Sequence, residues 1–276
     1  MLGVKAAELV SSRELMVNLT LRELRGKYKR SVLGWTWSLL NPLASMVIFT
    51  IVFSFFLKVK PPVGNPSGLH NFAFFLLCGM LPWNFLSNGI NGAMGALIGN
   101  ANLIKKVYFP REVLVAATVA AFDVTFLIEL GVLAVALVAF GNFVIPWIPV
   151  VLFLVVLVTV FVLGIALTVS VLNVYFRDVQ HLVGILLLLW FYATPIVYPL
   201  SYVPRHTDIG GQVIPLRHIY SFNPMVRFAE VFRDAMYHLR FPSWNNTLYL
   251  VVVSALSLIV GMWVFAKLEG RLAEEL

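Results

Sequence analysis

Six long apolar runs constrain this chain more than any other feature. They fall at Trp35–Leu57, Asn71–Leu97, Val113–Phe140, Pro146–Leu172, His181–Leu200 and Thr247–Lys267. Each approaches or exceeds the roughly 20 residues that a helix needs to cross the hydrocarbon core of a bilayer. In lipid a backbone must bond its own polar groups, so such runs are read as helices. The expected fold is an all-α polytopic membrane protein with six transmembrane helices, forming one domain over residues 1–276. Residues 1–34 are a cytoplasmic stretch and residues 35–267 the six-span core.

Composition supports this class. Residues are 60% hydrophobic and 12% charged, with a mean hydropathy of +0.90. Soluble domains carry about 25% charged residues. The net charge of +7 is therefore a record of topology and not a nucleic-acid footprint. Thirteen Lys and Arg precede the first run, lie in the second and fourth loops or follow the last run, and seven lie on the other side. The positive-inside rule places both termini in the cytoplasm. The single cysteine, Cys78, excludes an intrachain disulfide.

Residues from about Glu8 to Arg30 have helical spacing but do not span. Val17, Leu21, Leu24 and Tyr28 form an apolar stripe, and Arg22, Arg25 and Lys29 fall on roughly the opposite side. That is the pattern of an interfacial amphipathic helix. Two readings stay open here: a topological anchor, or cations that meet an anionic lipid headgroup or pyrophosphate.

The second cytoplasmic loop, Asn100–Arg111, is expected to hold a brief helix ending near Phe109, because Pro110 disfavours helical geometry before it. It is either a connector or a knob for a cytosolic partner. The segment from Thr194 to Trp244 carries six of the fourteen prolines and many aromatics, including Tyr198. Its residues from Pro224 to Leu239 have helical spacing. Proline-broken helices too short to span suggest re-entrant pieces between spans five and six, or a folded outer cap.

Asp123 and Glu129 lie inside the third run, where a charge costs about 2.5 kcal/mol or more. Proton coupling and hydrogen-bonded packing are the two readings, and neither acid has an intramembrane Lys or Arg partner. Phe49, Phe53 and Phe56 form an aromatic stripe in the first run, and Trp190, Phe191 and Tyr192 cluster in the fifth. Such faces suit a sugar chain in a channel as well as they suit lipid. No G-x-x-x-x-G-K-[ST] loop occurs and the five histidines lack metal-ligand spacing, so energy for active transport is expected from another subunit.

Several stretches, taken in order, resemble one family. They are RSVLGWTWSLLNP at Arg30–Pro42, LIKKVYFPRE at Leu103–Glu112, YFRDV at Tyr175–Val179, TPI at Thr194–Ile196 and NPM at Asn223–Met225. The chain resembles the permease subunit of ABC-2-type polysaccharide exporters, the Wzm and TarG group, over nearly its whole length. The resemblance implies a homodimer in the bacterial inner membrane, working with two copies of a separate ATPase that binds ATP and Mg. It implies no cofactor in this chain and no catalytic residue.

The resemblance further makes Asn102, Leu103, Ile104, Lys105, Lys106, Val107, Tyr108 and Phe109 the ATPase-coupling helix. Arg22, Arg25 and Lys29, with Tyr28, become a gate that receives a lipid-linked polysaccharide. Phe49, Phe53, Phe56, Trp190, Tyr192 and Tyr198 become the channel lining. Three rivals remain at this level: an exporter of small amphiphiles, an ion-coupled carrier using Asp123 and Glu129, and a membrane glycosyltransferase. The last would need a carboxylate constellation that these few acids do not form.

Overall fold

A computed structural model of the chain describes residues 12–27, 36–56, 62–209 and 212–276. It is helical almost throughout. The amphipathic α1 (Arg13–Lys27) is followed by α2 (Trp37–Phe49), which runs on as seven residues of π-helix, Thr50–Phe56. Next come α3 (Phe72–Gly99), the short α4 (Ala101–Lys106), α5 (Glu112–Ala139) and α6 (Ile148–Tyr175). After α7 (Val179–Tyr192) the chain breaks up into a hairpin, β1 (Thr207–Ile209) and β2 (Gln212–Ile214), then α8 (Leu216–Ser221) and α9 (Pro224–Phe232). A π-helix, Arg233–His238, continues α9 before α10 (Trp244–Leu268) and a terminal turn, α11 (Leu272–Glu275).

Four helical stretches are long and apolar enough to cross a membrane: Phe72–Gly99, Glu112–Ala139, Ile145–Tyr175 and Trp244–Arg271. Two shorter apolar helices, Leu40–Phe53 and Val179–Tyr192, occupy the first and fifth expected spans. The fifth run was expected to reach Leu200, but its helix stops at Tyr192. Pro195 and Pro199 follow, and each disfavours helix in the residue before it. The antiparallel hairpin, with Thr207 opposite Ile214, is a small departure from the all-α expectation.

The bundle is organised around α3. Of its apolar stretch 78% is buried inside the chain, against 28% for α5 and for α10. Asn71 starts α3 by accepting the Ala73 N–H at 2.9 Å, and α3 packs on α5 and α6. Gly92 lies under the Phe122 ring of α5 and leaves no room for a Cβ. The α6–α10 pair is closer still. A Cβ on Gly261 would overlap the Gly164 carbonyl, and one on Gly164 would overlap the Ser257 backbone. Ser257 Oγ donates to the Phe161 carbonyl across the same seam at 2.9 Å. Small residues that let backbones approach, with a hydroxyl cross-bond, are the usual device where lipid removes the hydrophobic drive.

One end of the bundle carries α4, the Phe176–Asp178 turn and α11. The opposite end carries residues 62–70, the α5–α6 turn and residues 193–209 and 212–243. In that α5–α6 turn, Gly141 has φ 84 and Asn142 Nδ2 donates to the Met236 carbonyl at 2.8 Å. The turn is thereby fixed to the π-helix that follows α9.

Candidate functional site

The end that carries α4 presents a compact knob. Asn100 ends α3 and precedes α4, and its Nδ2 donates back to the Ala96 carbonyl at 2.8 Å. Within α4, Ile104 is buried in the body and Leu103 is half-buried. Asn102, Lys105, Lys106, Val107 and Tyr108 are exposed, while Phe109 is half-buried. The helix ends at Lys106, three residues before the expected end near Phe109, because Val107 is already extended at ψ 136. The exposed face therefore joins two ammonium groups to an aromatic ring on an extended arm.

Two braces hold this knob. Arg111, just after it, donates to the Glu269 carbonyl, and the Tyr175 hydroxyl donates to the Leu268 carbonyl at 2.6 Å. Both bonds reach carbonyls where α10 passes into the 3-10 turn Glu269–Arg271. The fully buried Leu272 of α11 closes the same corner. The second brace is α1. Arg22 Nη2 donates to Asn100 Oδ1 at 2.6 Å and lies 3.0 Å from Glu23 Oε1.

The face of α1 that packs differs from the expected stripe. Leu19 and Leu24 are buried and Met16 is half-buried, while Val17 and Leu21 are exposed. Thr20 lies among the packed positions, which hid them in the sequence. Its hydroxyl is satisfied by the Met16 carbonyl at 2.7 Å, so it packs against α5 without cost. Arg25 is exposed, and Tyr28 and Lys29 lie outside the described residues.

Lys27, at the end of α1, reaches α5. Its Nζ donates to Thr125 Oγ1 at 3.1 Å and sits 5.1 Å from the centre of the Phe122 ring. Glu129 stands one turn beyond Thr125 on α5. A basic group thus reaches α5 from the amphipathic helix and not from inside the runs. Asp123 is different. Its Oδ1 accepts from Thr159 Oγ1 of α6 at 2.9 Å, a hydrogen bond across two packed helices.

The aromatic positions separate into two groups. Phe53 stacks on Phe72 of α3 with ring centres 4.6 Å apart, and Phe49 lies beside it at 6.2 Å. Phe56 and Tyr192 are exposed, and the half-buried Tyr198 directs its hydroxyl to the Tyr192 carbonyl at 3.4 Å. Trp190 turns inward against Trp83 and Phe161. Its indole donates to Asn223 Oδ1 at 2.8 Å, the same oxygen that caps α9 at Met225 N. Within one chain Trp190 is thus a packing strut that holds the start of α9.

A residue that the sequence reading missed anchors the opposite end. Arg233 is 4% exposed and donates to three carbonyls: Phe75 at 3.2 Å, Pro195 at 3.0 Å and Ile196 at 2.6 Å. Its guanidinium lies 3.9 Å from the centre of the Phe75 ring, and Gly79 leaves space beneath it. The break after α7 leaves the Pro195 and Ile196 carbonyls outside any helix, and Arg233 satisfies both. Its signal in the sequence was a charged residue, Arg233, beside the apolar stripe Met225, Phe228, Ala229, Phe232 and Met236.

A sequence model of the ABC-2 type transporter family matches residues 14–237. The chain is similar to an O-antigen export system permease protein RfbA of Myxococcus xanthus, 33% identical over 98% of each chain. A Klebsiella pneumoniae protein of the same name is 29% identical over 95% of this chain and 94% of its own. The polysialic acid transport protein KpsM of Escherichia coli is 23% identical over 91% and 92%.

Proposed function

The chain belongs to the ABC-2 type transporter family, and from that premise we propose that it is the membrane subunit of an ATP-driven exporter of a lipid-linked polysaccharide. The observation that carries this reading is the α4 knob. It is exposed on its outer face, buried at Ile104 and braced from both termini, so force applied to Lys105, Lys106 and Tyr108 passes into the bundle. A connector without a partner needs no such bracing. The names of the relatives, O-antigen and polysialic acid transporters, support a glycan as cargo.

In this reading the whole chain is one six-span domain. The shorter α2 and α7 complete the spans, and both termini are cytoplasmic. The proline-broken segment between Thr194 and Trp244 forms re-entrant pieces at the outer end. Two copies pair, which gives the exposed apolar faces of α2 (Val47, Ile48) and α7 (Ile185, Leu186, Leu189) protein as well as lipid to meet. Two ATPase subunits, holding ATP and Mg, seat on the two α4 knobs. Arg22 and Arg25, together with Tyr28 and Lys29 outside the described residues, receive a lipid pyrophosphate, and Phe49, Phe53, Phe56, Trp190, Tyr192 and Tyr198 flank the path.

Reconstituted with its ATPase, a Lys105→Glu/Lys106→Glu variant should lose glycan-stimulated ATP turnover. Unchanged turnover contradicts the role given to α4. The ion-coupled reading is not favoured, because Asp123 already has a packing partner in Thr159.

A further inference from the structure

The π-helix Arg233–His238 borders a cavity that none of the roles above uses. Its volume is about 420 Å³, within the roughly 300–1,000 Å³ of small-ligand sites. Glu230, Arg233, Asp234, His238, Arg240 and Asn246 line it, with Ser201 and Ser243 at the exposed rim. Helices of the π type are rare and recur at functional sites. This one ends at Leu239 with φ 59, a backbone region that a bulky side chain seldom enters. The Arg240 N–H then bonds to the Asp234 carbonyl at 2.9 Å, which turns the Arg240 side chain back onto the cavity wall.

The charges are arranged in opposition. Arg240 Nε and Nη2 both bond Asp234 Oδ1, at 2.8 and 2.6 Å. Asn246 Nδ2 lies 3.4 Å from Glu230 Oε2. Two carboxylates and two guanidinium groups thus leave the wall formally neutral while it remains rich in planar donors and acceptors. A divalent cation is a poor occupant, since arginines flank both acids and no metal-holding group of three occurs among the described residues. An anion would face Glu230 and Asp234. An apolar ligand would strip water from four charged groups. A neutral polyol offers hydroxyls that donate to the carboxylates and accept from the arginines and Asn246.

We propose that this cavity binds one sugar unit of the exported glycan. The proposal rests on the export reading and deepens it: on the orientation given above, the cavity lies at the outer end, where a chain that has crossed the bilayer emerges.

The test places a thiol at the rim. The one native cysteine, Cys78, is fully buried, so Ser201→Cys gives a single reactive site. In the permease–ATPase complex in nanodiscs, maleimide labelling of that thiol is timed with and without the water-soluble glycan released from its lipid by mild acid. Glycerol and magnesium serve as controls. The expected result is saturable slowing by the glycan alone. Adding Glu230→Gln should weaken that protection on the order of tenfold, the factor that a hydrogen bond to a charged group typically carries. Labelling that ignores the glycan, in a complex whose ATPase still responds to the lipid-linked polymer, overturns the sugar site and leaves the export reading standing. Protection by magnesium overturns it in favour of a cation. No ATPase response at all removes the export reading, and the sugar site with it.

Discussion

Arg22 of α1 donates a 2.6 Å hydrogen bond to Asn100 Oδ1, which ties the amphipathic helix to the residue from which α4 begins. Movement of either helix therefore strains the other. Arg22→Ala should lower glycan-stimulated ATP turnover by about fivefold, because an exposed hydrogen bond contributes about 1 kcal/mol. Basal turnover should hold, and Asn100→Asp should keep the coupling. If Arg22 acted only on the lipid headgroup, Asn100→Ala would leave stimulation intact. Titrating ATPase rate against lipid-linked glycan separates the two.

The Gly164–Gly261 seam predicts a structural failure. A Cβ at either position meets backbone, which cannot rotate away. Gly261→Ala should destabilise the bundle by at least the roughly 1–3 kcal/mol of an overpacked core. Its melting temperature in detergent, followed by size-exclusion chromatography, should fall clearly. Gly131→Ala, with open space at its Cβ, is the control that should not.

Asp123 and Thr159 form a hydrogen bond that needs no charge. Asp123→Asn should retain export, measured as surface glycan in cells, whereas Thr159→Val should lower thermal stability. Loss of export in a folded Asp123→Asn protein supports ion coupling instead.

The outer end should weaken in acid. Burial first, and then the Arg240 and Arg233 charges, push the His238 pKa from the ordinary 6.5 down to about 4. Its Nδ1 accepts the Asn65 N–H at 3.1 Å, which requires the neutral ring. The unfolded chain binds the proton more readily between those two values. The stability that His238 contributes is thus fully present above pH 6.5 and is lost as pH falls through 4. Melting temperature should drop across that window, and His238→Gln should flatten the drop.

The long spans were legible because a run such as Ile148–Tyr175 leaves a helix no alternative in lipid. The end of α7 was not, since Ala193 to Leu200 is as apolar as the helix and only Pro195 and Pro199 mark the change. Periodicity named Val17 and Leu21 on α1, but the packed face includes Thr20, whose polarity is masked by a bond to its own helix. The five residues Asn102 to Lys106 lie in a helix with exposed lysines, as the sequence led one to expect, although its end comes before Phe109. Arg233 and the cavity beside it depend on the π-helix and on carbonyls from distant loops, relations that no local pattern carries.

The central claim is that α4 receives force from an ATPase. Gentle extraction from native membranes, followed by affinity purification of this chain and measurement of subunit ratios, tests it most directly. The account predicts a co-purifying protein with a G-x-x-x-x-G-K-[ST] loop at equal stoichiometry, displaced when Tyr108→Asp is combined with Lys105→Glu/Lys106→Glu. A chain that purifies stable, active in transport and free of any ATPase contradicts it.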